Sequence, residues 1–318
     1  MILGLDIGGA NTKVASSDGS LAERIYLPLW LGARLDVELE RLAELNPRAV
    51  AAVMTGELAD CFENKMIGII SIKTAIEEAF QCPSYFWGVN GFDPQDLIEL
   101  AGANWSVSAN YLSRELGECL FVDMGSTTVD LIPIKEKPLA SKTDFLRLTN
   151  GELLYTGMLR TCVGNILRFG RIKGKRVQIS SEIFAITADV HLVLGDLSLE
   201  EYICQTPDGS GKDKKSALQR LARCVCADLG EIGEDGALAI AEQVRDRQLR
   251  MIIDAIYHQA NKHDLTRVVA AGIGENLICR AASYLGLDIL PLSRIYGPNL
   301  SNIFPAFAVA RQLEMDIS

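Results

Sequence analysis

Histidine is scarce in this chain: His191, His258 and His263 are the only three in 318 residues. With so few imidazoles, no cysteine–histidine nucleophile arrangement can be defended from the eight cysteines. Cys61, Cys82, Cys119, Cys162, Cys204, Cys224, Cys226 and Cys279 also lack zinc-ligand spacing. Only Cys224 and Cys226 are close, and two residues apart on a helix they face different directions. Reduced, mostly buried thiols are expected. Bases are in deficit, 31 against 41 acids for a net charge of −10, which argues against nonspecific nucleic-acid binding while leaving room for a local anion site. No apolar run approaches the roughly 20 residues that cross a bilayer. The chain opens directly on strand-like residues rather than a basic leader, so a cytoplasmic protein is expected. A phosphate loop of the Walker type is missing as well. Gly211-Lys212 has neither the glycine spacing nor the strand context, and sits in a polar connector over 206–215.

What is present is a globular composition, 48% apolar with 27 glycines and 10 prolines, in a chain long enough for two domains with substantial cores. Residues 3–14 are organised as an apolar run, an acid, two glycines and a second apolar run: Leu5-Asp6-Ile7-Gly8-Gly9-Ala10-Asn11-Thr12-Lys13-Val14. This reads as a β-hairpin with a phosphate-sized turn. Glycine permits close approach, so successive amides can point at an anion while Thr12 and Lys13 add a hydroxyl and a positive charge. Asp6 would repel a bare phosphate. Its place makes sense if a divalent metal, or metal-bound water, lies between it and the phosphate oxygens.

The arrangement returns at Val122-Asp123-Met124-Gly125-Ser126-Thr127-Thr128-Val129-Asp130. Aligning Asp6 with Asp123 puts Gly8 on Gly125, Gly9 on Ser126, Asn11 on Thr128 and Lys13 on Asp130. Two matched hairpins imply two related halves facing one cleft, with a phosphate-bearing ligand held from both sides. A third glycine turn, Gly272-Ile273-Gly274, follows a buried apolar strand and is placed to close over that ligand.

Between these landmarks the periodicity predicts strands over 21–29, 49–54 and 83–89, and helices over 35–45, 65–80, 105–116, 182–194, 219–229, 237–261 and 305–313. Residues 143–161 read as a structured loop with a short strand. The alternation of strands and helices is an α/β pattern. Glu57 and Asp60 follow the 49–54 strand at once, where ligand or proton-transfer groups often sit; a glycine turn entering an acidic helix terminus explains them equally. Arg160 is the best arginine for a carboxylate or other anion, with a surface salt bridge the alternative. Arg168, Arg171, Lys173, Lys175 and Arg176 form a basic cluster that fits either a polycarboxylate ligand or a solvated hairpin.

The two hairpins and the late glycine turn resemble the actin, sugar-kinase and Hsp70-like superfamily. That resemblance implies two ribonuclease-H-like domains: 1–118, with a C-terminal helix 302–318 packing back on it, and 119–301. Four stretches, Asp6–Lys13 (numbers 6–13), 55–60, 123–130 and 151–157, resemble more closely the hydantoinase/oxoprolinase-related family linked to tetrahydromethanopterin C1 metabolism, whose archaeal branch serves methanofuran biosynthesis.

Membership would imply a transferase. The phenolic oxygen of a glutamylated tyramine acceptor attacks the methylene of an aminomethylfuran diphosphate, forming an aryl ether and releasing diphosphate. In a methylotrophic bacterium, in methylofuran synthesis, the glutamate tail could be longer. Overlaid on the residues, this scheme puts Mg²⁺ near Asp6 and Asp123 and a direct phosphate contact at Lys13. Donors and close approach come from Gly8, Gly9, Asn11, Thr12, Gly125, Ser126, Thr127 and Thr128, with Gly272 and Gly274 nearby. Glu57 and Asp130 are the leading carboxylates to take the phenolic proton, with Asp60 and Asp189 behind them; Arg160 would receive the acceptor's carboxylate. Two rivals use the same fold: an ATP-dependent small-molecule kinase or amide hydrolase, and a nucleotide-dependent scaffold. Gly272 to Asn276 cannot by themselves distinguish adenine from furan. A homo-oligomer is compatible with any of these.

Overall fold

The computed structural model describes residues 1–317, which form two compact units. The first comprises Met1–Phe121, Ile132–Glu152 and the chain from Leu290 onward; the second comprises Val122–Leu131 and Leu153–Ile289.

In the first unit, β1 (Ile2–Gly8), β2 (Asn11–Ser16), β3 (Ala22–Tyr26), β4 (Ala49–Thr55), β5 (Ser84–Gly88) and β6 (Gly91–Phe92) form one sheet in the order β3-β2-β1-β4-β5-β6. β2 runs antiparallel to β1 and β3, whereas β4 runs parallel to β1 and β5. β1 is buried along its length because both of its faces are covered. Leu3, Leu5 and Ile7 pack with Leu39 and Leu42 of the helix Leu35–Ala43 and with Ile69, Ile72 and Ile76 of the helix Lys65–Ala79. On the opposite face, Gly4 lies against the backbone of Ala306 in the helix Phe304–Ile317, where a Cβ would overlap the carbonyl. That helix also seats Phe304 and Phe307 around Tyr111 of the helix Asn104–Leu116. Ser318, the last residue of the expected helix 302–318, lies outside the described residues.

The second sheet takes β7 (Cys119–Met124), β8 (Val129–Ile134), β9 (Leu153–Leu154), β12 (Arg267–Ala271) and β13 (Asp288–Pro291) in the order β13-β12-β7-β8-β9; β10 (Phe169–Ile172) and β11 (Lys175–Gln178) pair separately. The helices Thr187–Leu194, Lys214–Arg223 and Leu229–His263 build the second unit's core from Val190, Leu218, Leu221, Ile240 and Val244. The architecture is α/β, with the helices built around these two main sheets.

Local differences from expectation have local causes. Residues within 143–161 include a helix, Asp144–Thr149, started by the Thr143 hydroxyl accepting the Leu146 N–H. The helix expected over 219–229 spans Lys214–Arg223 instead: Asp213 caps its start, and Cys226, at φ 56°, turns the chain into the left-handed region beyond its end. The connector before it is tied down by Arg220, which donates to Asp208 and to the Gly211 carbonyl. The helix expected over 237–261 begins early, at Leu229, with a break at Gly233 (φ 74°).

Candidate active site

In the first unit the β1–β2 hairpin carries the acid-glycine turn. Asp6 and Lys13 are direct partners across the ladder, and Lys13 Nζ sits 3.0 Å from Asp6 Oδ2. Asp6 is 2% exposed, and its other oxygen, Oδ1, is buried without a hydrogen-bond partner. An orphaned carboxylate oxygen at a glycine turn suits a hard cation, which takes oxygen ligands. Alternation separates the two residues that follow Asn11. Thr12 pairs with Ile7, so its side chain lies on the core face, where its hydroxyl is buried without a partner. Asn11 and Lys13 lie on the other face, with Asp6 and Gly8. Hydroxyl and ammonium therefore do not converge on one anion.

Beside this turn, Gly8 is in register with Thr55 at the end of β4. Gly56 follows, and a Cβ there would come 3.0 Å from the Gly8 carbonyl carbon. Glu57 is 3% exposed, and its Oε2 is buried without a partner. Burial pushes its carboxyl up to about 7; the nearby Asp144 carboxylate adds to the rise, while Lys65 and a hydrogen bond from the Gly102 backbone oppose it. Asp60, three residues on, is exposed.

In the second unit the turn after β7 is held by its neighbours. Gly125 N donates to Thr128 O at 3.0 Å, and the Ser126 and Thr127 hydroxyls stand 3.4 Å apart. Met158 N donates to Gly125 O at 3.0 Å; Leu159 N and Arg160 N donate to Ser126 O at 3.1 and 3.0 Å. A trans peptide points its C=O and N–H in opposite directions. With both carbonyls turned toward 158–160, the amides of Ser126 and Thr127 point the other way, side by side, as an anion-binding nest requires. Gly157 is obligatory for this approach, since a Cβ would overlap the Ser126–Thr127 peptide.

Asp123, 9% exposed and next to last in β7, lies against the late glycine turn. Gly272 has φ 86°, and a Cβ there would overlap Asp123 Oδ1; Gly274 donates its N–H to Met124 O at 3.0 Å and faces the Met124 side chain. Both glycines thus have a packing reason in β7 itself, and the structure brings them together with Asp123 and Gly125. Asp130 pairs with Leu153 across β8 and β9 and is partly exposed.

Arg160 supports the turn through its own amide. With Lys212 it acts electrostatically on Cys204, whose thiol burial nonetheless pushes up to about 11. The Arg168–Arg176 stretch is the β10–β11 hairpin, with Arg171 opposite Arg176 and the Arg176 guanidinium 3.9 Å over the Phe169 ring. Asp189 is fully buried and its carboxylate is saturated: Arg220 Nη2 at 2.6 Å, the Tyr202 hydroxyl at 2.9 Å and Ile186 N at 3.1 Å. It holds structure rather than a proton in transit.

One set of residues near the second turn gave no sequence signal. His191, Gln248 and Thr156 meet inside the second unit although 57 and 92 positions separate Gln248 from the other two. Nothing in their local sequence marks the encounter.

A family model described as hydantoinase/oxoprolinase matches residues 48–314. The chain belongs to the hydantoinase/oxoprolinase family. Two curated relatives carry the printed name (4-{4-[2-(gamma-L-glutamylamino)ethyl]phenoxymethyl}furan-2-yl)methanamine synthase. That of Methanocaldococcus jannaschii is 39% identical over 330 residues, covering 100% of this chain and 98% of the relative. That of Methanococcus vannielii is 35% identical over 216 residues, covering 66% of this chain and 97% of the relative. Among solved structures, a ROK family glucokinase from Streptomyces griseus is similar at 12% identity and TM-score 0.49, with 98% of each chain covered. Among the described residues, no three His, Cys, Asp or Glu side chains gather as a metal cage, and no helix is long and apolar enough to cross a membrane.

Proposed function

We propose that this member of the family is a cytoplasmic transferase that joins a glutamylated tyramine to an aminomethylfuran through an aryl ether, in methanofuran-type cofactor synthesis. The observation that carries the reading is full-length similarity, at 39% identity, to a synthase whose printed product contains that phenoxymethyl-furan linkage. In the reaction the phenolic oxygen attacks the furan-attached methylene, the new C–O bond forms, the methylene–diphosphate C–O bond breaks, and the phenolic proton passes to a base.

Glu57 is assigned as that base. A phenol of pKa near 10 loses its proton too slowly unaided at neutral pH, and a buried carboxylate poised near 7 is matched to remove it. The paired amides of Ser126 and Thr127 are assigned to phosphate oxygens, as is Lys13. Asp6, with its unpartnered Oδ1, and Asp123 are assigned to Mg²⁺, through water where needed. When bound, Mg²⁺ would neutralise charge on the leaving diphosphate. Asp130 is the reserve base, and Arg160 is assigned to the acceptor's glutamate carboxylate by charge.

The test supplies purified protein and Mg²⁺ with an aminomethylfuran diphosphate and γ-glutamyl-tyramine, with and without ATP, and follows diphosphate release and product mass. ATP-independent ether formation is expected. Consumption of the ATP γ-phosphate coupled to a modified acceptor, with no ether, refutes the reading in favour of a kinase.

A further inference from the structure

The second unit contains a fully buried hydrogen-bond relay that ends on the segment supporting the Ser126–Thr127 turn. Gln248, in the long helix Leu229–His263, donates from Nε2 to Thr156 Oγ1 and to the Gly157 carbonyl, both at 2.9 Å. A carbonyl only accepts, so this contact fixes which end of the amide is nitrogen. The amide oxygen then faces His191 Nε2 at 2.8 Å, and that ring nitrogen must carry its hydrogen. On its far side, His191 Nδ1 lies 3.4 Å from Asp196 Oδ2, and Asp196 is flanked by Arg245 at 3.6 Å and Arg280 at 4.0 Å. Gln248 and His191 are completely buried.

The geometry points to Gln248 as a positioning residue for phosphate binding, acting through the Gly157 peptide on the Ser126 and Thr127 amides. This rests on the transferase reading for the identity of the ligand, but its mechanics do not. Gln248 fixes Thr156 and Gly157; the three residues after Gly157 then donate to the Gly125 and Ser126 carbonyls, and those carbonyls set the direction of the two amides. A glutamine is suited to this task. It has two donors for Thr156 and Gly157 and an acceptor for His191, and it brings no charge into a dry interior. His191 Nε2 donates to the amide oxygen and so fixes which way the amide is turned. The chain of contacts converts a helix surface into the orientation of a loop that no regular ladder holds.

Two variants test it. Gln248→Met keeps length and apolar volume but removes every hydrogen bond; Thr156→Val is milder, keeping shape and the Gly157 contact. Hydrogen exchange of the 158–160 amides is read by mass spectrometry in the full chain without ligand. Exchange there is expected to quicken by about tenfold or more in Gln248→Met and by less in Thr156→Val, with the β12 amides unchanged. In steady-state assays kcat is expected to fall roughly 10- to 100-fold in Gln248→Met while the acceptor KM stays within about twofold, because a misplacement of about 1 Å suffices. Unchanged exchange at 158–160 in both variants overturns the proposal. So does faster exchange spread evenly over the second unit, which is loss of packing alone, or altered exchange with unchanged kcat. A wild-type protein that forms no ether, while the exchange pattern holds, refutes the transferase assignment and leaves the role of Gln248 standing.

Discussion

Replacing Glu57 by glutamine has opposite consequences for stability and for catalysis, and both have calculable pH dependence. The folded protein holds the Glu57 proton more tightly than the unfolded chain does, with a carboxyl at about 7 against an ordinary 4.5. Between those values folding takes up a proton. The destabilisation caused by this group is therefore small in acid, grows as pH rises through the window, and is complete above it. At 1.36 kcal/mol per unit, the burden is about 1 kcal/mol near pH 5.5 and about 3 kcal/mol near pH 8.5. Glu57→Gln removes the pH-dependent part. Urea unfolding of the two proteins should give a stability difference that shifts in the variant's favour by about 2 kcal/mol between those two pH values. Any pH-independent penalty for the new amide cancels in that comparison. Ether formation should move the other way: kcat falls by about 100-fold or more, and the wild-type rise of rate with pH through about 7 disappears. Parallel stability profiles for the two proteins would show that Glu57 is not a desolvated carboxyl. An intact pH–rate profile in the variant would hand the proton to Asp130.

Asp6→Asn should raise the Mg²⁺ concentration needed for half-maximal rate by about tenfold or more, measured by metal titration, with an unchanged far-ultraviolet circular dichroism spectrum. Arg160→Ala, which leaves the backbone bond to Ser126 in place, should raise the acceptor KM far more than the donor KM; the reverse order removes Arg160 from acceptor binding. Asp189→Asn takes from the buried Arg220 guanidinium its one buried carboxylate, leaving Asp208 and the Gly211 carbonyl, and should cost about 3 kcal/mol in urea unfolding, beyond any effect on rate. Gly272→Ala forces a side chain into φ 86° and onto Asp123, so soluble yield and thermal midpoint should both drop, whereas Gly174→Ala, at φ 78° in the β10–β11 turn but with open space around it, should cost the backbone strain alone.

Period-two apolar runs broken by glycine announced both hairpins, and the strand that precedes Glu57 was equally plain, because a strand buried on both faces is written as a continuous apolar run. The same alternation also places Thr12 on the other face of the sheet from Lys13, a consequence available in the sequence once β2 is aligned residue by residue with β1. Other features had no local signature. The chemistry of Glu57 depends on burial by the fold, and on the Asp144 carboxylate and the Gly102 backbone, which lie far from it in the chain. The helix Asp144–Thr149 is too short to establish a period. His191 stood out by rarity alone, and its partner Gln248 is one polar residue among many on a long helix. Asp189 looked like any other acid until Arg220 and Tyr202 closed on it.

The seat of Ala306 on Gly4 ties the earliest strand to the latest helix, and Ser17 repeats the link by donating to Glu314 Oε1 at 2.9 Å across 297 positions. During synthesis, β1 is made long before the helix Phe304–Ile317 and waits for it before one of its faces is covered. Such a nascent chain carries an unsheltered apolar surface through most of translation, a natural client for chaperones. Cutting before Phe304 should therefore yield aggregates rather than a shortened, folded first unit.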